Sequence, residues 1–218
     1  KPTSEVRLNK QDIRLAKQEN TLGKCKYRMC LDFRALNQII VAPTRCILPS
    51  LAEVRIFCRN KILSTMDIKD FFFSIRLSPL SQRYTSFYFR RNIYKMSRLG
   101  MGLSPSPFFA SHAMRCTFNQ VTFENWKRSL PEGTRFPYSD PAQFLIVYAD
   151  DIICATSSDE KEELHLTVLD YVMYSLEISN LRLNIKKSKF LARTIVFLGE
   201  KIDSCLLYTS PSPRDTVR

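Results

Sequence analysis

The sequence predicts an α+β fold. Helical and strand-like stretches follow one another without the regular strand–helix–strand alternation of a doubly wound sheet. Two apolar runs, residues 144–148 and 152–155, flank Asp150-Asp151 as strands flank a tight acidic turn. The chain has 218 residues, 44% of them hydrophobic, enough for one packed domain or for two lobes sharing a core.

Residues 1–26 are polar and basic, with a turn signal at Asn20-Thr21-Leu22-Gly23. Residues 27–33 read as a strand ending in a charged turn. Residues 50–58 read as a short helix, because Ser50 and Glu53 stand at capping-box spacing. Residues 62–67 form an apolar strand ending in Asp67, and residues 71–77 and 84–89 alternate as strands do. Ser104-Pro105-Ser106-Pro107 breaks the chain, and a helix is expected from 108 to 118. Residues 124–143, rich in Pro, Gly and charge, read as a loop or insertion. Ser157 and Glu160 make a second capping box. Leu164, Val168, Val172 and Leu176 form a stripe spaced by fours, so a helix of about twenty residues follows. Strands are expected at 181–185 and 195–198. From 204 onward core periodicity ends, and the Ser/Pro-rich tail 204–218 reads as foreign and disordered, the alternative being a native linker. Residues 1–203 are thus taken as the folded part.

The net charge is +12. The first sixty residues carry 12 Lys and Arg against 5 Asp and Glu. Such an excess favours a polyanion, nucleic acid above all, as partner. Seven cysteines are scattered with no Cys-x-x-Cys pair, which argues against zinc and for reduced thiols. No apolar run is long enough to span a bilayer, and the start lacks both Met and a signal peptide's apolar core, so a soluble intracellular fragment of a longer chain is expected.

Chemistry is expected at the acids. In a tight hairpin Asp150 and Asp151 converge, repel each other and call for a cation. Mg²⁺ suits carboxylates that share it with substrate phosphates. A bare Asp-Asp pair is ordinarily turn chemistry, and a lone strand-end Asp is ordinarily a cap. Together, however, Asp67, Asp150 and Asp151 have the composition of a two-metal site.

These residues carry a resemblance. Tyr148-Ala149-Asp150-Asp151 resembles the Tyr-x-Asp-Asp motif of retroviral and retrotransposon reverse transcriptases. Met66-Asp67-Ile68-Lys69-Asp70-Phe71-Phe72-Phe73-Ser74-Ile75-Arg76-Leu77 is similar to their first metal motif, and Tyr27 to Asn37 to their fingers motif. Leu99 to Pro107 resembles the template-grip motif. Leu181 to Phe190 and Val196-Phe197-Leu198-Gly199 resemble the last two palm motifs. The order is that of the family over about residues 12–203, with gypsy-type LTR retrotransposons nearest in kind.

The resemblance implies a right-hand polymerase fingers–palm, with an antiparallel palm sheet backed by helices and with thumb, RNase H and integrase regions outside the chain. It implies RNA-directed DNA synthesis from dNTPs on a primed RNA or DNA template. Two Mg²⁺ ions, with Mn²⁺ as a substitute, would be held by Asp67, Asp150, Asp151 and the Ile68 carbonyl. Arg28, with Lys24 or Lys26, would meet the triphosphate; for either lysine a solvated surface charge is the plainer reading. Phe72 would exclude a ribose 2′-OH, the alternative being a core aromatic. Met101 and Gly102 would approach the nucleotide, though a turn glycine explains Gly102 equally well. Lys187 would assist pyrophosphate departure, or is merely solvated. Tyr148, Asp32, Arg34, Ser106 and Pro107 would contact template and primer. Gly100, Met101 and Phe71 depart from the usual pattern without removing a metal ligand. Against this stands an inactive nucleic-acid-binding relic of the same fold. A cytoplasmic particle, or the nucleus, is the implied location.

Overall fold

The computed structural model describes residues 13–19, 25–41, 48–159 and 162–205. The chain divides into two compact units, Lys1–Arg45 with Phe72–Ala110, and Cys46–Phe71 with Ser111–Arg218.

In the first unit β1 (Ile13–Glu19) and β2 (Cys25–Leu31) pair antiparallel from Ile13 opposite Leu31 to Glu19 opposite Cys25. β1 lies within the stretch read only as polar and basic; its pairing to β2, not its own pattern, makes it a strand. The turn signal at 20–23 lies outside the described residues. Helix α1 (Arg34–Ile39) follows and buries Leu36. Leu36 packs with Phe33, Leu99 and Leu103 in a small cluster, against which Leu31, Ile40, Phe72, Ile75 and Leu77 lie half-buried.

The second unit begins with α2 (Leu51–Cys58). Its capping box forms as expected: the Glu53 amide donates to Ser50 Oγ at 3.2 Å, and the Ser50 amide to Glu53 Oε2 at 2.6 Å. β3 (Lys61–Asp67) follows.

The alternating run 71–77 is not a strand. It opens with the one-turn helix α3 (Phe71–Ser74). Ile75 and Leu77 share one cluster rather than one sheet face, which is why their spacing misleads. Helix α4 (Pro79–Tyr84) is set by an N-cap at Ser78 with Pro79 in its first turn. Only then do β4 (Ser86–Phe89) and β5 (Asn92–Lys95) form a hairpin.

Helix α5 (Ser106–Thr117) starts two residues before the expected 108. The expected loop at 124–143 is half wrong. Helix α6 (Gln120–Ser129), capped by Asn119, occupies its first part, because Phe123 and Trp126 are buried one turn apart. They join Phe118, Phe136, Phe144 and Tyr171 in a network of ring contacts.

β6 (Leu145–Tyr148) and β7 (Asp151–Ser157) form the expected hairpin. α7 (Glu162–Ile178) buries Val168, Val172 and Leu176 of the expected stripe. Glu160 of the second capping box lies outside the described residues. The expected strand 181–185 is reduced to a single bridge from Leu183 to Ile68, after which residues Ile185–Lys187 make a 3-10 turn. β8 (Lys189–Ala192), β9 (Thr194–Phe197) and β10 (Glu200–Asp203) complete the described chain.

The central sheet of the second unit has the order β6-β7-β3-β8, with each neighbouring pair antiparallel. β9 and β10 form a separate pair. Val54, Cys58, Leu63, Ile153, Ala155, Ile195, Phe197 and Ile202 are buried together, so the sheet, α2 and the β9–β10 pair share one core. The class is α+β, an antiparallel sheet backed by helices, as the sequence predicts.

Candidate active site

One end of the central sheet gathers the acids. Asp67 is the last residue of β3 and lies opposite Asp151, the first residue of β7. Asp151 in turn lies opposite Tyr148, the last residue of β6. The two-residue link Ala149-Asp150 puts the remaining carboxylate at the same end. Ala149 has φ 53°, a left-handed conformation uncommon away from glycine. The turn is tied down: the Ile68 amide donates to the Asp150 carbonyl at 3.0 Å. Apolar flanks fix it further, with Ile152 and Ile153 fully buried.

Electrostatics follow from that convergence. Burial raises the Asp151 carboxyl to about 6; Asp150 and then Asp67 push it the same way, and Lys187 opposes them. Asp67 is the best-partnered acid of the three. Asn184 Nδ2 donates to its Oδ2 at 3.0 Å, and Lys187 Nζ to its Oδ1 at 2.8 Å. Its carbonyl accepts from the Asn184 amide at 2.8 Å. The neighbouring Lys69 amide donates to the Arg182 carbonyl at 2.7 Å. The chain from 182 to 188 is thus laced to the end of β3.

Among the described residues, no three His, Cys, Asp or Glu side chains form a ready-made cage for a metal ion. The donors nonetheless suit a hard cation. They are carboxylate oxygens, partly buried, whose mutual repulsion already disfavours charge on Asp151. The Lys187 ammonium supplies positive charge at one of them.

The structure therefore brings together Asp67, Ile68, Tyr148, Asp150, Asp151 and Lys187 in the second unit. The Tyr148 ring packs edge-on against Phe197, with centroids 5.7 Å apart. Asn184 belongs with them and was not singled out from sequence. Its amide side chain reaches a residue 117 positions away, and only its place inside a family-like motif marked it.

The other candidates lie in the first unit. Phe72 is half-buried against the Phe33 cluster. Met101 is 47% exposed. Gly102 has φ 90°, so a turn glycine is required there whatever else it does. Its carbonyl accepts from Asn37 Nδ2 at 2.8 Å, while Asn37 Oδ1 accepts the Ser104 amide at 2.9 Å, so Asn37 clamps this loop. Ser106 is buried, and its hydroxyl donates to the Gly100 carbonyl at 2.7 Å, whereas Pro107 is exposed. Asp32 and Arg34 form an ion pair with each other at 2.5 Å. Lys26 and Arg28 sit on β2 opposite Gln18 and Ala16, and Lys24 lies outside the described residues. Among the described residues, no helix is long and apolar enough to cross a membrane.

Comparison with known proteins bears on the family and the fold. Residues 10–202 match the family described as reverse transcriptase (RNA-dependent DNA polymerase). The chain is 28% identical over 184 residues to the retrovirus-related Pol polyprotein from transposon 297 of Drosophila melanogaster, covering 84% of this chain and 15% of that protein. It is 25% identical over 190 residues to the enzymatic polyprotein of figwort mosaic virus, covering 87% and 25%. It therefore spans a quarter or less of the length of these relatives. In fold it is similar to the foamy viral protease-reverse transcriptase in complex with dsDNA, with TM-score 0.66, 22% identity, and coverage of 96% of this chain and 39% of that one. It is also similar to that enzyme in complex with an RNA/DNA hybrid, with TM-score 0.63, 22% identity, and coverage of 88% and 22%.

Proposed function

The chain belongs to the reverse transcriptase (RNA-dependent DNA polymerase) family, and on that premise we propose that it is the fingers–palm part of a retrotransposon polymerase that extends a primer 3′-hydroxyl with dNTPs on an RNA or DNA template. The observation that carries this reading is the convergence of Asp67, Asp150 and Asp151 at one end of a single antiparallel sheet. We assign residues 1–203 to this part and leave 204–218 outside it.

Asp67, Asp150 and Asp151, with the Ile68 carbonyl, would hold divalent cations of the kind the family uses, Mg²⁺ or Mn²⁺. Held by these residues, a divalent cation would supply charge neutralisation for the attacking 3′-oxygen and the leaving pyrophosphate. The protein's own part is positioning. Asn184 and Lys187 fix the rotamer of Asp67, and the buried flanks of β6 and β7 fix Asp150 and Asp151. In the nucleotide complex Lys187 exchanges its carboxylate for the departing pyrophosphate. Arg28, with Lys24 or Lys26, meets the triphosphate, and Phe72 bars a 2′-hydroxyl. Met101 and Gly102 border the nucleotide; Tyr148, Asp32, Arg34 and Pro107 border template and primer. Ser106 is expected from its motif to contact template and primer, but its side chain is buried on the Gly100 carbonyl, so it would act on them through that loop. The remaining partners are the thumb, RNase H and integrase regions of the same polyprotein.

A second reading, nucleic-acid binding without catalysis, draws on the pairing of Asp67 with Lys187. One experiment separates the two. Primer extension on an RNA template is measured with dNTPs and Mg²⁺, using a chain that continues through the region following this one in its relatives. Extension that drops at least a hundredfold in Asp150→Asn supports the polymerase. Extension that survives the substitution removes the metal assignment. Binding without extension selects the second reading, and preference for rNTPs removes Phe72 from its role.

A further inference from the structure

His165 is fully buried near the start of α7, and both of its ring nitrogens are engaged. Nε2 lies 2.7 Å from Ser64 Oγ on β3, and Nδ1 lies 2.8 Å from Thr156 Oγ1 on β7. Ser64 stands opposite Cys154, so Thr156, two residues further along β7, projects from the same face of the sheet towards α7. A neutral imidazole has one N–H and one lone pair, and a hydroxyl can serve as either partner. Either tautomer therefore makes both contacts, and burial favours that neutral form by lowering the His165 pKa to about 4.

A hydroxyl beside an imidazole suggests a nucleophile. Here Ser64, Thr156 and His165 are each 1% exposed or less, so no substrate reaches them. The arrangement must act through what it holds.

Ser64 has a second partner. Its Oγ accepts the Leu191 amide of β8 at 3.1 Å. This contact falls where β8 slips against β3. Leu63 pairs with Ala192 and Thr65 with Lys189, so two steps on β3 face three on β8. Leu191, inside that bulge, has φ 49°. A bulge sets the register of everything beyond it. Beyond this one lie Ser188, Lys187 and Asn184. Ser188 Oγ accepts the Asp67 amide at 3.4 Å, and the other two grip the Asp67 carboxylate.

We propose that His165 is a positioning residue: through Ser64 it fixes the bulge in β8 and thereby the register that delivers Asn184 and Lys187 to Asp67. It touches no reacting atom. Its consequence for metal binding rests on the polymerase reading, but the register claim does not.

The test uses the described chain with Ser64→Ala, Ser64→Thr and His165→Leu, and Val168→Ala as a control that opens the same core without touching these hydrogen bonds. Amide hydrogen exchange is read at Leu191 and Asn184, together with Mn²⁺ affinity by electron paramagnetic resonance and the melting temperature. Ser64→Ala and His165→Leu should speed exchange at Leu191 and Asn184 at least tenfold and weaken Mn²⁺ binding about tenfold. Ser64→Thr, which keeps a hydroxyl, should restore most of both. Val168→Ala should lower the melting temperature without the local effects. The proposal is overturned if Leu191 and Asn184 exchange is unchanged in His165→Leu or in Ser64→Ala, or if Val168→Ala reproduces it. A wild-type chain that binds no Mn²⁺ removes the metal reading while the exchange data still decide the register.

Discussion

Asp151 and His165 are displaced in opposite directions by the same cause, burial of the charged form. Asp151, raised to about 6 from 3.8, gives stability that is complete below its unfolded value and is lost as pH rises through 6. His165, lowered to about 4 from 6.5, gives stability that is complete above its unfolded value and is lost as pH falls through 4. Over pH 4–6.5 the two trends oppose each other, each on the order of 1–2 kcal/mol after allowance for solvent screening. Urea denaturation across this range should therefore show little net slope from this pair. Asp151→Asn removes one arm, and its stability should fall on acidification; a slope matching wild type would remove the Asp151 assignment. Divalent cations should stabilise wild type more at pH 7 than at pH 5, where Asp151 is largely protonated. Gly100 makes a second, purely steric case. A Cβ there would stand 2.9 Å from Cε2 of Phe33, a ring only 3% exposed. Gly100→Ala should cost about 1–3 kcal/mol in the same assay, with Phe33 displaced.

Among the elements, the β4–β5 hairpin has a turn poorly suited to its own residues. Its two linking residues, Arg90 and Arg91, have φ 47° and 65°. A two-residue link with both φ positive is the turn for which Asn-Gly is best suited. Replacing Arg90-Arg91 by Asn-Gly should stabilise the hairpin by about 1 kcal/mol, seen as a higher melting temperature. An unchanged or lower value would mean that the Arg90 guanidinium, 5.3 Å from the Phe89 ring centroid, matters more than the backbone. The contrast with elements legible in the sequence is instructive. The α2 cap, the β6–β7 hairpin and the α7 stripe are local patterns, complete within a few residues, and they form as read. α6 was hidden because only Phe123 and Trp126 mark its buried side within a polar stretch. Residues 71–77 alternate for the sake of one cluster, not one sheet face. β1, β8 and β10 owe their existence to partners. At the site, the acids were legible because motif and strand end coincide. Asn184 and His165 were not, since their partners at Asp67 and Ser64 lie 117 and 101 residues away.

At the scale of the whole molecule the decisive feature is where the charge lies. From Phe71 to Phe123 the chain carries no Asp or Glu, and it carries seven basic residues, Arg76, Arg83, Arg90, Arg91, Lys95, Arg98 and Arg115. More than half of the net charge of +12 thus comes from a quarter of the chain, with no acid in that stretch to screen it. Association with a polyanion releases counterions from each phosphate so neutralised, so affinity should fall linearly in log–log form as salt rises. If about six phosphates are engaged, the slope is about −5, and affinity for a primed RNA/DNA duplex drops roughly a thousandfold between 50 and 200 mM salt. Fluorescence anisotropy measures this without any requirement for catalysis. Changing Arg83, Arg90, Arg91 and Lys95 to Gln should flatten the slope by one to four units. The same number of changes at Lys127, Arg128, Arg135 and Lys201, where Glu124, Glu132 and Glu200 lie close in sequence, should flatten it less. Equal effects from the two sets would mean that total charge, not its segregation, governs binding. A slope near zero in the unaltered chain would mean that the basic excess serves some purpose other than holding nucleic acid.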